Sequence, residues 1–134
     1  QKKDLSKEDK ALTDKLKNDI NKLSALIDKQ DLNNYIKKVI EYSFDSNKYF
    51  NDSEPWSLKK TDAKKMNSIL YSIIEQIKNI SILLLPIIPI SANKILDIMN
   101  IKKELRNITE INKNISLNHD KELGNIEILF KKVE

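Results

Sequence analysis

The chain carries one glycine and three prolines in 134 residues. Tight reversals between short strands lean on glycine, which reaches positive φ at no steric cost. A chain nearly without it is poorly suited to many strands and turns. What it can build is a few long helices, interrupted where Pro55, Pro86 and Pro89 stand.

The apolar periodicity agrees. Leu12, Leu16, Ile20, Leu23 and Ile27 recur at spacings of three and four, which predicts one amphipathic helix over 6–29. Ser6 and Asp9 open it as a capping box. Asp31 is the N-cap of a second helix, from Leu32 to about Phe50. Its shared face holds Leu32, Ile36, Val39 and Ile40, then Ser43, Asn47 and Phe50. Asn47 is thus expected on or near the buried side, where an amide must find partners. Pro55 ends this helix, because the residue before a proline is pushed out of the α region.

Asp62 caps a third helix, to about Leu85, whose last turns are apolar nearly all round. That pattern marks the central helix. Ser91 is expected to cap a short fourth helix through Met99, with Ala92, Ile95, Leu96 and Met99 inward. Beyond Asn100 the pattern weakens. Lys102 to Arg106 suggests a turn or two of helix, 107–125 is polar and loop-like, and Ile126, Ile128 and Phe130 alternate like a short extended piece laid on the bundle. The expected fold is all-α: an antiparallel bundle of about four to five helices with a loop-rich C-terminal tail over 100–134, in a single domain over 1–134.

Several chemistries drop out. There is no cysteine and one histidine, His119, so neither a disulfide framework nor a Cys/His metal cluster is available. One glycine, Gly124, cannot make a phosphate-binding loop. Glu41 and Asp45 stand four apart on a helix but read as a solvated acidic face. No catalytic residue and no metal site is expected. "ISILLLPIIPI", residues 80–90, is too short to span a bilayer and is broken by prolines. With no apolar leader near the start, a cytoplasmic protein with no membrane contact is expected.

One stretch does not fit a purely structural role. In "NKYFNDSEPW", residues 47–56, the only tryptophan stands after a proline at the mouth of a polar turn, with Lys59, Lys60, Lys64 and Lys65 just beyond it. A net charge of +4 permits a nucleic-acid partner without demanding one. Lysines beside an exposed ring suit single-stranded nucleic acid: the charges hold phosphates while the ring stacks on a base. Two rivals stand beside this. Trp56 could be the hot spot of a helical protein–protein interaction module, or it could be buried beneath its own turn.

The spacing of Asn47, Tyr49, Pro55 and Trp56 resembles the anticodon-binding domain of bacterial-type methionyl-tRNA synthetases. The similarity continues in register. "ILYSIIEQIKNISILLLPIIP" over 69–89 is similar to the family's helix ending in two prolines, and "SANKIL" over 91–96 to the segment just after that helix. "LFKKVE" over 129–134 is similar to the family's closing residues, and "LSKEDKAL" over 5–12 to the opening of an earlier helix. The resemblance covers about residues 5–134. It implies that the parent protein joins methionine to its tRNA with ATP and Mg2+, in a catalytic domain absent from this chain. The chain itself is then non-catalytic, needs no cofactor of its own, and is expected as a monomer that meets the anticodon loop of tRNA(Met) and its own catalytic domain.

By the same resemblance, Trp56 stacks on the wobble cytosine of the CAU anticodon, and Pro55 fixes the turn that presents it. Asn47 supports from behind, its amide tying the helix end to the turn, and Tyr49 packs beneath. Position and charge make Lys59 and Lys60 candidate phosphate contacts. The sequence departs from the family at Asn51, often acidic there, at Lys78, usually arginine, at Asn100, frequently glycine, and at Lys131, usually proline.

Overall fold

A computed structural model of the chain describes residues 6–111, and every described element is helical. Five α-helices lie in order along the described residues: α1 Lys7–Asn18, α2 Ile20–Asp28, α3 Leu32–Ser53, α4 Ala63–Leu84 and α5 Pro89–Ile98. Short 3-10 turns occupy Pro55–Leu58, Lys103–Leu105 and Ile108–Glu110. The expected all-α bundle is therefore observed. His119, Gly124, Ile126, Ile128, Phe130 and the closing "LFKKVE" lie outside the described residues.

The helix starts behave as their side chains dictate. Ser6 Oγ accepts from the N–H of Asp9, and the Asp9 carboxylate accepts from the N–H of Ser6, which completes the capping box. Asp31 and Asp62 cap α3 and α4 by accepting from the N–H groups of Asn34 and Lys65.

Two boundaries differ from expectation. The single helix over 6–29 is two, broken at Asp19, whose N–H bonds back to the Leu16 carbonyl and tightens the last turn of α1. The apolar spacing runs through the break because the break costs only one residue of helix. The fourth helix starts at Pro89 rather than after Ser91. Proline is well placed in a first turn, where its fixed φ fits and its missing N–H has no partner to lose. Ser91 is then an exposed residue inside α5.

α4 is the centre. It packs on α1, α3 and α5, and residues 71–76 are buried without interruption. The Tyr35 hydroxyl, near the start of α3, donates to the carbonyl of Leu83, near the end of α4, so these two run antiparallel. The main core gathers Leu16, Leu23, Tyr35, Tyr42, Leu83 and Leu96 with their neighbours. A smaller core of Leu12, Ile69 and Ile73 sits at the other end of α4.

The central helix also buries polar groups that its apolar pattern hides. Ser72, Gln76 and Asn79 are wholly buried, and the Ser72 hydroxyl and both amide groups have no hydrogen-bond partner. Lys78, also buried, pairs with Glu75 at 2.9 Å. After α5 the chain turns at Asn100, φ 57°, a left-handed position that asparagine tolerates better than most residues. Arg106 then clamps the next segment. Its Nη2 donates to Asp97 at 2.7 Å and its Nη1 to Asn93 at 2.9 Å, and its Nε reaches the Ile101 carbonyl at 2.9 Å. Ile101 and Ile111 are buried.

Candidate nucleic-acid interface

α3 ends in an unusual way. Glu54 adopts φ 44°, ψ 56°, a left-handed conformation that glycine usually takes at a helix end. Pro55 disfavours the right-handed alternative for the residue before it. The turn is then fastened. The Glu54 N–H bonds to the Phe50 carbonyl at 3.1 Å, and the Glu54 carbonyl accepts both the N–H and the hydroxyl of Ser57, at 3.0 and 2.7 Å. Pro55 is buried and begins a 3-10 turn, with Trp56 next to it.

Trp56 is 56 % exposed. A Trp packed under its own turn is therefore ruled out. Its ring leans on Phe50, with centroids 5.2 Å apart and planes tilted by 53°. Phe50, Tyr49 and Leu58 pack in turn on the small core of Leu12, Ile69 and Ile73. The ring is thus held on a platform with most of its surface open.

Tyr49, half-buried near the end of α3, packs on the small core and lines a cleft of about 830 Å³ between the start of α1, the end of α3 and the start of α4. Lys59 and Lys60 are exposed in the link to α4, and Lys64 and Lys65 are exposed in its first turn. Asn47 is the exception. It is exposed, and none of the described contacts ties its amide to the Trp56 turn. Leu32 and Ile40, expected on the same inward face, are each 47 % exposed. The face of α3 that turns inward is the neighbouring one, Tyr35, Val39, Tyr42 and Ser46. Tyrosine can bury its ring and still pair its hydroxyl, so a polar-looking row outcompetes the aliphatic one.

The site residue that the sequence does not single out is Phe50, which reads there only as part of an apolar face. A signal for it exists: an aromatic six residues ahead of Trp56, across a turn that reverses the chain. Among the described residues no cluster of His, Cys, Asp or Glu could hold a metal ion, and no helix is long and apolar enough to cross a membrane.

These features describe a helical domain that holds an exposed aromatic ring beside a group of lysines. The family model for the anticodon binding domain of methionyl tRNA ligase matches residues 1–134, and the chain belongs to that family. It is 37% identical over 109 residues to a methionine–tRNA ligase of Rickettsia conorii, covering 81% of this chain and 22% of that protein. With a methionine–tRNA ligase of Brucella suis it shares 31% identity over 106 residues, 79% of this chain and 21% of that protein. The chain thus spans about a fifth of the length of the curated relatives it matches. The fold is shared with the apo form of Mycobacterium tuberculosis methionyl-tRNA synthetase, at a TM-score of 0.77 and 24% identity, over 86% of this chain and 24% of that one.

Proposed function

We propose that this chain reads the CAU anticodon of tRNA(Met) as the non-catalytic, anticodon-binding part of a cytoplasmic methionine–tRNA ligase. The observation that carries this reading is the tryptophan: exposed, backed by Phe50, and presented by a turn fastened at Glu54. RNA loops are read through bases that are splayed out and stacked on aromatic faces. A ring already held in place loses little freedom on binding, so more of the stacking energy, roughly 1–3 kcal/mol per base, is realised. Trp56 stacks on the wobble cytosine, Pro55 and Tyr49 hold the turn, and Lys59 and Lys60 meet backbone phosphates. Asn47 offers the RNA an exposed amide rather than bracing the turn. The domain is monomeric and works beside a catalytic domain of the same polypeptide, which uses ATP and Mg2+.

The test is a titration with a CAU anticodon stem-loop, following the emission of the only tryptophan. A stem-loop with a changed wobble base is the control. Quenching by CAU and not by the control, lost in Trp56→Ala, supports the reading. Equal quenching by both stem-loops sinks the assignment of Trp56 to the wobble base.

A further inference from the structure

The seat of α1 on α4 differs from the rest of the core. Ser68, Ser72, Glu75, Gln76 and Asn79 recur along α4 at spacings of three and four, so they share one face of it. α1 rests on that face. Ser6 and Asp9, at its start, line one cleft with Ser68, and the Nζ of Lys17, in its last turn, stands 3.9 Å from Glu75 Oε1. All five α4 residues are buried. Yet Ser72 Oγ, Glu75 Oε2 and the side-chain amides of Gln76 and Asn79 have no hydrogen-bond partner.

Water satisfies such atoms as soon as two helices part. The seam therefore favours separation and works against the burial of Leu12 and Leu16, the apolar anchors of α1. The ends of α1 are tied unequally. Asp19, where it stops, accepts from the Tyr42 hydroxyl of α3 at 2.7 Å. The capping box at its start closes within α1 itself. Lys15 reaches Asp45 of α3 at 2.8 Å, but this pair is on the surface, where ion pairs hold little. A helix attached in this way opens locally before its domain unfolds, and the hinge is at Asp19.

Movement of α1 reaches the Trp56 turn. Leu12 is what α1 contributes to the small core on which Tyr49, Phe50 and Leu58 pack, and the Trp56 ring leans on Phe50. With α1 lifted, Phe50 loses part of its footing. We propose that α1 is a hinged prop for the Trp56 platform: it swings about Asp19, off the unpaired polar seam of α4, and RNA held by Trp56 favours its closed position. The link to RNA rests on the reading of Trp56 as the stacking residue. By linkage, RNA closes α1 by the same factor by which closure tightens RNA binding.

The test is amide hydrogen exchange, read peptide by peptide, in the polypeptide that carries this sequence. Residues 7–18 are expected to exchange roughly tenfold faster than the middle of α4, and to respond less steeply to urea below the unfolding transition, as a partial opening does. Gln76→Met and Ser72→Ala each remove unpaired atoms from the seam, and each should slow exchange at 7–18 about fivefold. Saturating CAU stem-loop should slow it by about the same factor. If α1 exchanges as slowly as α4, with the same urea response, it leaves only when the whole domain unfolds. If both variants exchange faster, the seam holds α1 in place. Either result overturns the proposal. So does exchange that the stem-loop leaves unchanged while Trp56→Ala weakens its binding, an outcome that keeps the reading of Trp56 intact. A stem-loop bound equally well by Trp56→Ala sinks that reading and the proposal with it.

Discussion

The hydroxyl of Tyr42 on α3 donates to the carboxylate of Asp19 across 2.7 Å, at the residue where α1 stops and α2 begins. Lys38, one turn earlier on α3, stands 3.9 Å from the same carboxylate. The break between the first two helices is therefore pinned from the neighbouring helix. A hydrogen bond to a charged group is worth roughly 1.5–3 kcal/mol. Tyr42→Phe keeps the buried ring and removes only the bond. We expect it to lower unfolding stability by about 2 kcal/mol in urea titrations, with the slope against denaturant unchanged. A loss near zero would mean that Asp19 is equally well served by water.

Phe50 should matter to RNA more than to folding. It is half-buried, and its ring is the surface against which Trp56 rests. Phe50→Ala leaves Trp56 on its turn without a backing. CAU stem-loop affinity is expected to fall about tenfold, roughly half of the loss produced by Trp56→Ala on a logarithmic scale. Wild-type affinity in Phe50→Ala would show that the platform is irrelevant to binding.

The lysines in the link to α4 should show themselves through salt. Each phosphate contact to single-stranded RNA adds roughly 0.7 to the slope of log affinity against log salt. Lys59→Gln and Lys60→Gln are each expected to reduce that slope by about this amount while leaving the preference for CAU intact. A changed base preference with an unchanged slope would reverse the assignment.

Two tyrosines set an alkaline limit. Burial pushes the Tyr35 hydroxyl up to about 12 from an ordinary value of 10.0. The Tyr42 hydroxyl is raised by burial first and by the Asp19 carboxylate second. Both folded values lie above the unfolded ones, so this stability is complete below pH 10 and declines as pH rises from there through about 12. Phenolate absorbance from these two residues should therefore appear together with the loss of helical circular dichroism. Tyr35 ionising near pH 10 with helicity intact would contradict its burial.

Gln76 and Asn79 make the opposite kind of prediction, a gain. Their amides are buried on the central helix without partners, and an unsatisfied buried polar group costs roughly 1–3 kcal/mol. Gln76→Met keeps the length and flexibility of the side chain and removes the amide. We expect thermal unfolding to shift upward by several degrees, as a gain of about 1 kcal/mol does in a domain of this size. A lower midpoint would reveal that the amide is paired in solution.

Much of the bundle is legible in the sequence because its signals are local. Asp31, Asp62 and the Ser6–Asp9 pair cap helices wherever the chain goes next, and Pro55 ends one for steric reasons alone. α1 is legible because it has one dominant apolar stripe, and α4 because its last turns are apolar nearly all round. α3 misleads because it has two. Spacing identifies a row but not which row wins the core, and that choice depends on hydroxyl partners at Leu83 and Asp19, far away in sequence. The same limit applies at the site. Pro55 and Trp56 announce a presented ring, whereas the Phe50 platform and the fastening of Glu54 by Ser57 exist only once the turn has closed.

The central position of α4 also bears on how such a chain is made. Synthesis runs from the N-terminus at roughly 5–20 residues per second. α1 and α3 emerge before the helix they must pack against, so the faces they turn to it stay wet until α4 has cleared the exit tunnel. At that speed its 22 residues take about 1–4 s to be added. Helix formation itself is complete within about a microsecond. For most of this interval the nascent domain is a set of amphipathic segments waiting for their centre, and that waiting period is when a chaperone has something to hold.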